Sequence, residues 1–228
     1  MTKQSITFAG EALELLPERA IWWPAARTLF IADLHLGKGA SFRALGQPVP
    51  AGTTQDNLAR LVTLIEHTQA QRLIVLGDLL HAAPARKPQQ IEPLLRWREH
   101  HPALEWIAVR GNHDRHAGDA PPALRISSVD EPWPPATNAR LLACHHPQRI
   151  ESKGVLAGHW HPAIRLRGPA HDRERLPCFC RFGDELLVLP AFGAFTGANL
   201  REPPEVALCY PVGGGRVWAP RASAQSKA

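Results

Sequence analysis

Residues 28–38 read TLFIADLHLGK, an apolar run, Thr28–Ala32, followed at once by Asp33-Leu34-His35. Such a run, rich in residues that favour strands, predicts a β-strand. Residues two positions apart on extended backbone point to the same face, so we expect Asp33 and His35 to share one site. The stretch therefore predicts a strand that ends in two side chains able to bind a metal ion.

The same arrangement recurs four times along the chain. The later runs and the polar residues that follow them are Leu73–Leu76 with Asp78, Trp106–Val109 with Asn112, His113 and Asp114, Leu141–Cys144 with His145 and His146, and Val155–Ala157 with His159 and His161. In open α/β sheets, ligands bind outside the carboxyl ends of the strands. We therefore expect all five sets of side chains to converge on one site.

Helices are predicted between these strands, which indicates a layered α/β fold. One helix should begin near Gly52, with Thr53 or Thr54 as its cap, and a second should span about Pro88 to Glu99. After residue 160 only short strands are predicted. We expect one domain over residues 1–220 and a disordered tail over residues 221–228.

Composition excludes several classes of protein. The chain has 228 residues, 44% hydrophobic and 21% charged, which is typical of a globular domain. No apolar run is long enough to cross a bilayer, and the N-terminal region lacks the uninterrupted apolar stretch of a signal peptide. Four cysteines do not suggest a disulfide framework in a chain of this size, so we expect buried thiols and a cytoplasmic protein with no membrane partner.

Net charge is compatible with a phosphate-rich partner without identifying one. The formal charge is +5, but the arginines are scattered and no dense basic cluster is present. Charge alone therefore does not predict nucleic-acid binding.

The chemistry of the polar residues narrows the choice of metal ion. Carboxylate, imidazole and amide groups favour Mn²⁺, Fe or Zn²⁺ over a thiolate-rich structural zinc site. Seven potential ligands are too many for one tetrahedral ion and suit two ions about 3.5–4 Å apart, as in phosphoryl-transfer enzymes.

The ordered series of motifs resembles the calcineurin-like metallophosphoesterase superfamily over roughly residues 28–161. A closer resemblance, over most of the chain, is to the bacterial ligase-associated DNA-damage-response endonucleases of the PdeM type. The stretches that carry it are residues 16–20 (LPERA), 32–38 (ADLHLGK), 110–115 (RGNHDR) and 189–197 (LPAFGAFTG).

The resemblance implies a fold, a reaction and a role for each residue. The fold would be a four-layer α/β/β/α arrangement of two packed mixed sheets flanked by helices. One metal would be held by Asp33, His35, Asp78 and His161, with Asp78 bridging, and the second by Asn112, His145 and His159. His113 would lie beside the phosphate with Asp114 orienting its ring, and a hydroxide bridging two ions, most plausibly Mn²⁺, would attack phosphorus in line. The substrate would be DNA, and a DNA ligase and a helicase encoded nearby would be partners.

Several alternatives stay open. His145 is preferred over His146 as a ligand because it comes first after its strand, and His81 is either a ligand, a substrate contact or an ordinary loop residue. Arg43, Arg110 and Arg115 could bind phosphate or lie in solvent. Nuclease relatives often carry an added DNA-binding domain, for which this chain has little room. A phosphodiesterase or phosphatase acting on small nucleotides, or a non-catalytic binding module, is therefore the alternative to a nuclease.

Overall fold

The computed structural model describes residues 2–44, 46, 52–137, 140–167, 173–194, 196–197 and 207–223. The strands are β1 Gln4–Phe8, β2 Glu11–Leu16, β3 Ala20–Trp23, β4 Thr28–Ala32, β5 Arg72–Leu76, β6 Glu105–Val109, β7 Ile126–Val129, β8 Leu141–Ala143, β9 Gly154–Ala157, β10 Ala163–Arg167, β11 Arg173–Phe182, β12 Leu186–Val188, β13 Leu208–Gly213, β14 Arg216–Val217 and β15 Arg221–Ala222. The helices are α1 Lys38–Ala44, α2 Thr53–Thr68, α3 Pro88–His100 and α4 Asn112–Ala117.

The first sheet has the strand order β1-β2-β3-β4-β5-β6-β7. Strands β1 to β4 pair antiparallel, and β4 to β7 pair parallel. Ala32, Leu76 and Val109 are aligned in neighbouring strands, so β4, β5 and β6 end at the same edge. The loops after these three strands therefore leave the sheet side by side.

The second sheet has the order β14-β13-β11-β12-β9-β8, with β10 paired to β11 and β15 paired to β13. Strands β8, β9 and β12 are parallel, and the other pairs are antiparallel. The sequence loses its helical signal after residue 160 because short connections suffice for antiparallel neighbours.

Alternation along the parallel strands separates two apolar cores. On β4, Leu29 and Ile31 face α2 and α3, whereas Phe30 and Ala32 face the second sheet. The inter-sheet core is completed from the second sheet by side chains such as Leu156 and Phe179. The predicted pair of packed mixed sheets is confirmed, and so is a helical layer on the first sheet.

The outer face of the second sheet carries an apolar cluster of its own. Its apolar cluster includes Cys144, Cys178, Cys180 and Cys209, all buried, and no helical residue belongs to this cluster within the described ranges. All four α-helices of the described residues precede β8 in the chain.

The predicted strands and helices are recovered, with local differences. Helix α2 begins at Thr53, but its cap is Gly52, and neither threonine caps it. Strand β7 lies inside a Pro- and Gly-rich stretch that lacks the periodicity of a strand. Arg221 and Ala222 pair with β13 rather than starting a tail, because this strand offers a free edge there, and residues 224–228 lie outside the described ranges. No helix in the described part is both long and apolar enough to cross a membrane.

Candidate metal centre

The loops after β4, β5, β6, β8 and β9 bring all seven predicted ligands to one edge of the two sheets. The first group surrounds Asp33: His161 Nε2 lies 3.3 Å from Asp33 Oδ1. His35 Nε2 lies 3.6 Å from Asp78 Oδ2. One donor atom each from Asp33, His35 and His161 lies within 4.8 Å of the other two, a spacing that one metal ion could span.

The second group surrounds His145. Its Nε2 lies 2.9 Å from Asn112 Oδ1 and 3.0 Å from His159 Nδ1. The same nitrogen lies 3.6 Å from Asp78 Oδ1. Asp78 thus presents one carboxylate oxygen to His35 and the other to His145, which is the arrangement that a carboxylate shared between two ions requires.

The burial of these residues and their unsatisfied hydrogen-bonding atoms suit them to bind cations. Asp33 and His145 are completely buried, Asp78 is 2% exposed and His35 5%. Both ring nitrogens of His35 lack a hydrogen-bond partner among the described residues. Burial lowers the pKa of His35 to about 2 and raises the pKa of Asp78. A neutral imidazole with a free lone pair, beside two buried carboxyl groups, is a donor set that divalent cations complete.

The backbone conformation of the ligands differs from the extended one assumed from the sequence. Asp33 (φ 53°), His35 (φ 46°), Asp78 (φ 52°), His159 (φ 67°) and His161 (φ 47°) all have left-handed backbone. They are five of the eleven non-glycine residues with positive φ in the described part. The paired ligands converge because each lies in a tight turn, and alternation along a strand is not the cause. Such conformations cost about 1–3 kcal/mol each and concentrate at functional sites.

Glycines precede three of the ligands because the loops touch there. Gly77 has φ +78°, and a Cβ built on it would overlap the ring of His145. A Cβ on Gly158 would lie 2.8 Å from Asp33 Oδ2. The Gly-Asp and Gly-His pairs of the sequence therefore reflect close packing between ligand loops.

His113 lies at the edge of the centre with its ring orientation fixed. Its Nδ1 is 2.9 Å from the backbone carbonyl oxygen of His81, and its Nε2 is 3.9 Å from Asp78 Oδ2. A carbonyl oxygen only accepts hydrogen bonds, so Nδ1 carries the proton in the neutral ring. The side chain is 38% exposed, which leaves Nε2 available to a substrate.

Asp114 does not orient His113, contrary to the role implied by the resemblance. Its carboxylate accepts hydrogen bonds from the backbone N–H groups of Leu79 (3.3 Å), Leu80 (3.0 Å) and Gly111 (3.0 Å). It therefore fastens the start of α4 to the loop after β5. The reason is its position three residues after the cap of α4, from which a carboxylate reaches back to the cap N–H.

Glu131 is a residue that sequence reasoning missed. Its Oε2 accepts from the backbone N–H groups of His145 (2.7 Å) and His146 (2.8 Å), and its Oε1 lies 2.6 Å from His146 Nδ1. These hydrogen bonds lower the pKa of Glu131 even though burial alone would raise it. Glu131 lies in a proline-rich loop without a recognisable motif, and only the fold brings it to His145.

The remaining candidate site residues differ in the contacts that they make. His146 is held by Glu131, and its ring lies 4.6 Å from that of His159, beside the ligands. The ring of His81 stacks on that of His113 at 4.9 Å, and burial lowers its pKa to about 4. Arg110 forms ion pairs with Asp119 and Asp130, whereas Arg43 and Arg115 have exposed side chains.

The chain is similar to known proteins in both sequence and structure. The family model of the calcineurin-like phosphoesterases matches residues 26–188. The crystal structure of Pseudomonas putida nuclease MPE resembles this chain with a TM-score of 0.82, and the two sequences are 42% identical. The match covers 96% of this chain and 100% of the nuclease chain. The phosphoesterase Yfce from E. coli is 17% identical, with a TM-score of 0.42 over 85% of this chain and 97% of that one. The search of curated proteins found no match.

The family match covers well over half of the chain and includes the loops after β4, β5, β6, β8 and β9. The resemblance inferred from the motifs is confirmed. This chain belongs to the calcineurin-like phosphoesterases and is a metal-dependent phosphoester hydrolase.

Proposed function

We propose that this protein is a dinuclear metal-dependent phosphodiesterase that cuts DNA internally. The observation that carries the dinuclear reaction is the position of Asp78, whose two oxygens face His35 on one side and His145 on the other. The similarity to the Pseudomonas putida nuclease, which extends over nearly the whole of both chains, supports nucleic acid as the substrate.

The ligands would divide into two sets around Asp78. Asp33, His35 and His161 would share one ion with it, and Asn112, His145 and His159 the other. Divalent cations bound there supply Lewis acidity to the phosphoryl oxygens and lower the pKa of coordinated water. The donor set of carboxylates, imidazoles and an amide suits Mn²⁺, and Fe or Zn²⁺ would also fit it.

His113 would be the catalytic residue that the chain itself contributes. Because its Nδ1–H is held by the His81 carbonyl, Nε2 is directed towards the centre. In its protonated form Nε2–H can donate to a phosphoryl oxygen or protonate the leaving oxygen, which stabilises charge that develops in the transition state. Asp114 and Glu131 would act as positioning residues, since neither carboxylate is directed at the substrate side.

Exposure around the centre favours a long substrate. Asp33, Asp78 and His145 form a buried floor, whereas His159 is exposed and His113 and His161 are partly exposed. A centre that is open on one side can receive a phosphate within a continuous strand, which a closed cavity could not.

The wider biological setting is also a proposal. The similarity of motifs to ligase-associated endonucleases supports a cytoplasmic role in DNA repair together with a DNA ligase and a helicase. The shared core between the two sheets supports a single domain over residues 1–220. A ligase and a helicase beside the gene would support this setting, and a neighbourhood of nucleotide-salvage genes would contradict it.

The proposed reaction is tested with purified protein and Mn²⁺, Mg²⁺ or Zn²⁺. The substrates are a circular single-stranded DNA, a circular duplex and bis-p-nitrophenyl phosphate as a small diester. We expect Mn²⁺-dependent cleavage of at least one circle, which only an endonuclease can cut. Cleavage of the small diester with no cleavage of DNA under any metal would reject the nuclease and favour a small-molecule phosphodiesterase. Asn112→Ala should abolish both activities.

A further inference from the structure

We propose that the hairpin formed by β10 and β11 binds the phosphates of a nucleic-acid strand that extends away from the metal centre. The inference rests on the proposed nuclease function, and it assigns to this hairpin the binding of the polymeric substrate outside the metal centre. It concerns residues that none of the family motifs includes.

The hairpin is attached directly to the metal centre. Strand β10 begins at Ala163, two residues after His161. The carbonyl oxygen of Pro162, between them, accepts a hydrogen bond of 3.0 Å from the backbone N–H of Cys178 in β11. A strand rises about 3.3 Å per residue, so Arg165 lies ~13 Å along the chain from His161. This distance corresponds to a few nucleotides of a bound strand.

Arginines oppose each other across the hairpin. In the backbone register Arg165 is aligned with Arg175, and Arg167 is aligned with Arg173. The side chains of Arg165 and Arg175 are exposed, and neither has a carboxylate partner within the described ranges. Like charges directly opposite each other destabilise a strand pair. A polyanion lying along this face would relieve that repulsion.

The opposite face of the hairpin fixes which way the arginines point. Ile164 is aligned with Leu176, and Ile164 packs against the apolar cluster on the second sheet. Leu176 packs closely on Gly213 of β13, where an added Cβ would lie 2.9 Å from its Cδ2. Because alternate residues of a strand face opposite sides, anchoring Ile164 and Leu176 turns Arg165 and Arg175 outward.

The chemistry of the face indicates what it binds. Residues 163–177 contain four arginines against two acidic residues, Asp172 and Glu174. Guanidinium groups bind phosphate oxygens bidentately, and basic tracks of this kind hold single strands without reading their sequence. The expected ligand is therefore the sugar–phosphate backbone, bound independently of base sequence.

The test compares Arg165→Ala/Arg175→Ala with a matched pair, Arg96→Ala/Arg140→Ala. The control removes the same charge from exposed positions on α3 and before the amino end of β8, away from the ligand loops. Binding of a fluorescein-labelled 20-nucleotide single strand to metal-free protein in EDTA is followed by anisotropy at several salt concentrations. We expect Kd to rise about 5- to 30-fold for the hairpin variant. The slope of log Kd against log salt should fall by about 1.4, since each phosphate contact on a single strand contributes ~0.7.

A kinetic comparison gives a second readout. With Mn²⁺ present, the ratio of kcat/KM for the oligonucleotide to kcat/KM for bis-p-nitrophenyl phosphate should fall by a similar factor, mainly through KM. The control variant should keep the wild-type ratio. If thermal melting shows that the alanine pair weakens the fold, Arg165→Gln/Arg175→Gln repeats the test with side chains of similar length.

The outcomes separate the two proposals. Equal Kd and equal salt slope for hairpin and control variants would overturn the hairpin assignment, even if the wild type cuts DNA. Loss of binding in the hairpin variant with no DNA cleavage by the wild type would leave the hairpin assignment standing and reject the nuclease. A wild type that does not bind the 20-nucleotide strand would overturn the hairpin assignment directly.

Discussion

The carbonyl oxygen of His81 and Nδ1 of His113 lie 2.9 Å apart, and the two imidazole rings stack with centroids 4.9 Å apart. A backbone atom thus sets the tautomer and the direction of the proposed catalytic histidine. The side chain of His81 adds the stacking contact with His113 and an edge contact with the ring of His35.

This relationship predicts different effects for two substitutions. His113→Ala should lower kcat about 10²- to 10⁴-fold, the usual contribution of a general acid. His81→Ala keeps the carbonyl and should cost less than about tenfold, since it removes ring contacts but not the hydrogen bond to His113 Nδ1. Steady-state kinetics on the small diester measures both. Comparable losses in the two variants would show that the His81 ring itself takes part in the reaction.

We predict that substitution of Asp114 mainly lowers the stability of the fold. Asp114→Ala leaves three backbone N–H groups without an acceptor in a buried region, and we expect a loss of about 2–5 kcal/mol in the free energy of unfolding. Urea unfolding of the metal-free protein measures it. The control is Asp119→Ala, which removes an exposed partner of Arg110 and should cost less than about 1 kcal/mol. An unchanged stability in Asp114→Ala together with lost activity would support the ring-orienting role instead.

Glu131 is predicted to tune metal affinity. Glu131→Ala frees the backbone at His145 and His146, so the ligand loses its fixed position. Loss of such supporting contacts typically weakens metal binding about 10- to 100-fold. Calorimetric titration of the metal-free protein with Mn²⁺ measures the change. Glu151→Ala, an exposed carboxylate in the next loop, should bind Mn²⁺ like the wild type. If the two variants bind Mn²⁺ equally, Glu131 has no part in holding the ligands.

Metal binding is predicted to stabilise the fold. At Mn²⁺ concentrations of about 100 times Kd, the gain is ~2.7 kcal/mol for each bound ion, which corresponds to a rise of roughly 5–10 °C in Tm per ion for a chain of this size. EDTA should reverse it. Asp78→Asn should melt higher than the wild type in EDTA, because it removes one of the two buried carboxylates of the proposed metal centre, Asp33 and Asp78, and should gain much less from Mn²⁺. A full Mn²⁺-dependent shift in Asp78→Asn would refute the bridging assignment.

The sequence predicted the fold class and the strands that lead to the proposed site, but not every local element around them. The five strand-and-ligand units could be found because buried strands leave continuous apolar runs, as at Thr28–Ala32. Strand β7 was missed because its residues, Ile126–Val129, include two serines in a proline-rich region, and pairing with β6 decides its structure. Pairing of this kind is a property of the tertiary structure and leaves no local pattern.

The roles of two acidic residues show the same limit. Asp114 follows His113 in the sequence, but the helical turn directs its carboxylate to Leu79 and Leu80. Glu131 is 14 residues from His145 and meets it only through the fold. Sequence motifs therefore identified the proposed ligands, while the residues that position those side chains required coordinates.

The left-handed backbone of five proposed ligands has a consequence for protein engineering. At such positions glycine or asparagine relieves strain, so a stability screen of the metal-free chain would select replacements of Asp33, His35, Asp78, His159 and His161. Variants selected for thermal stability without metal would carry substitutions at these five positions, and those substitutions would abolish activity. Selection for thermal stability should therefore be performed on the metal-loaded protein. Bound ions stabilise the native side chains there, so glycine or asparagine is no longer favoured at these five positions.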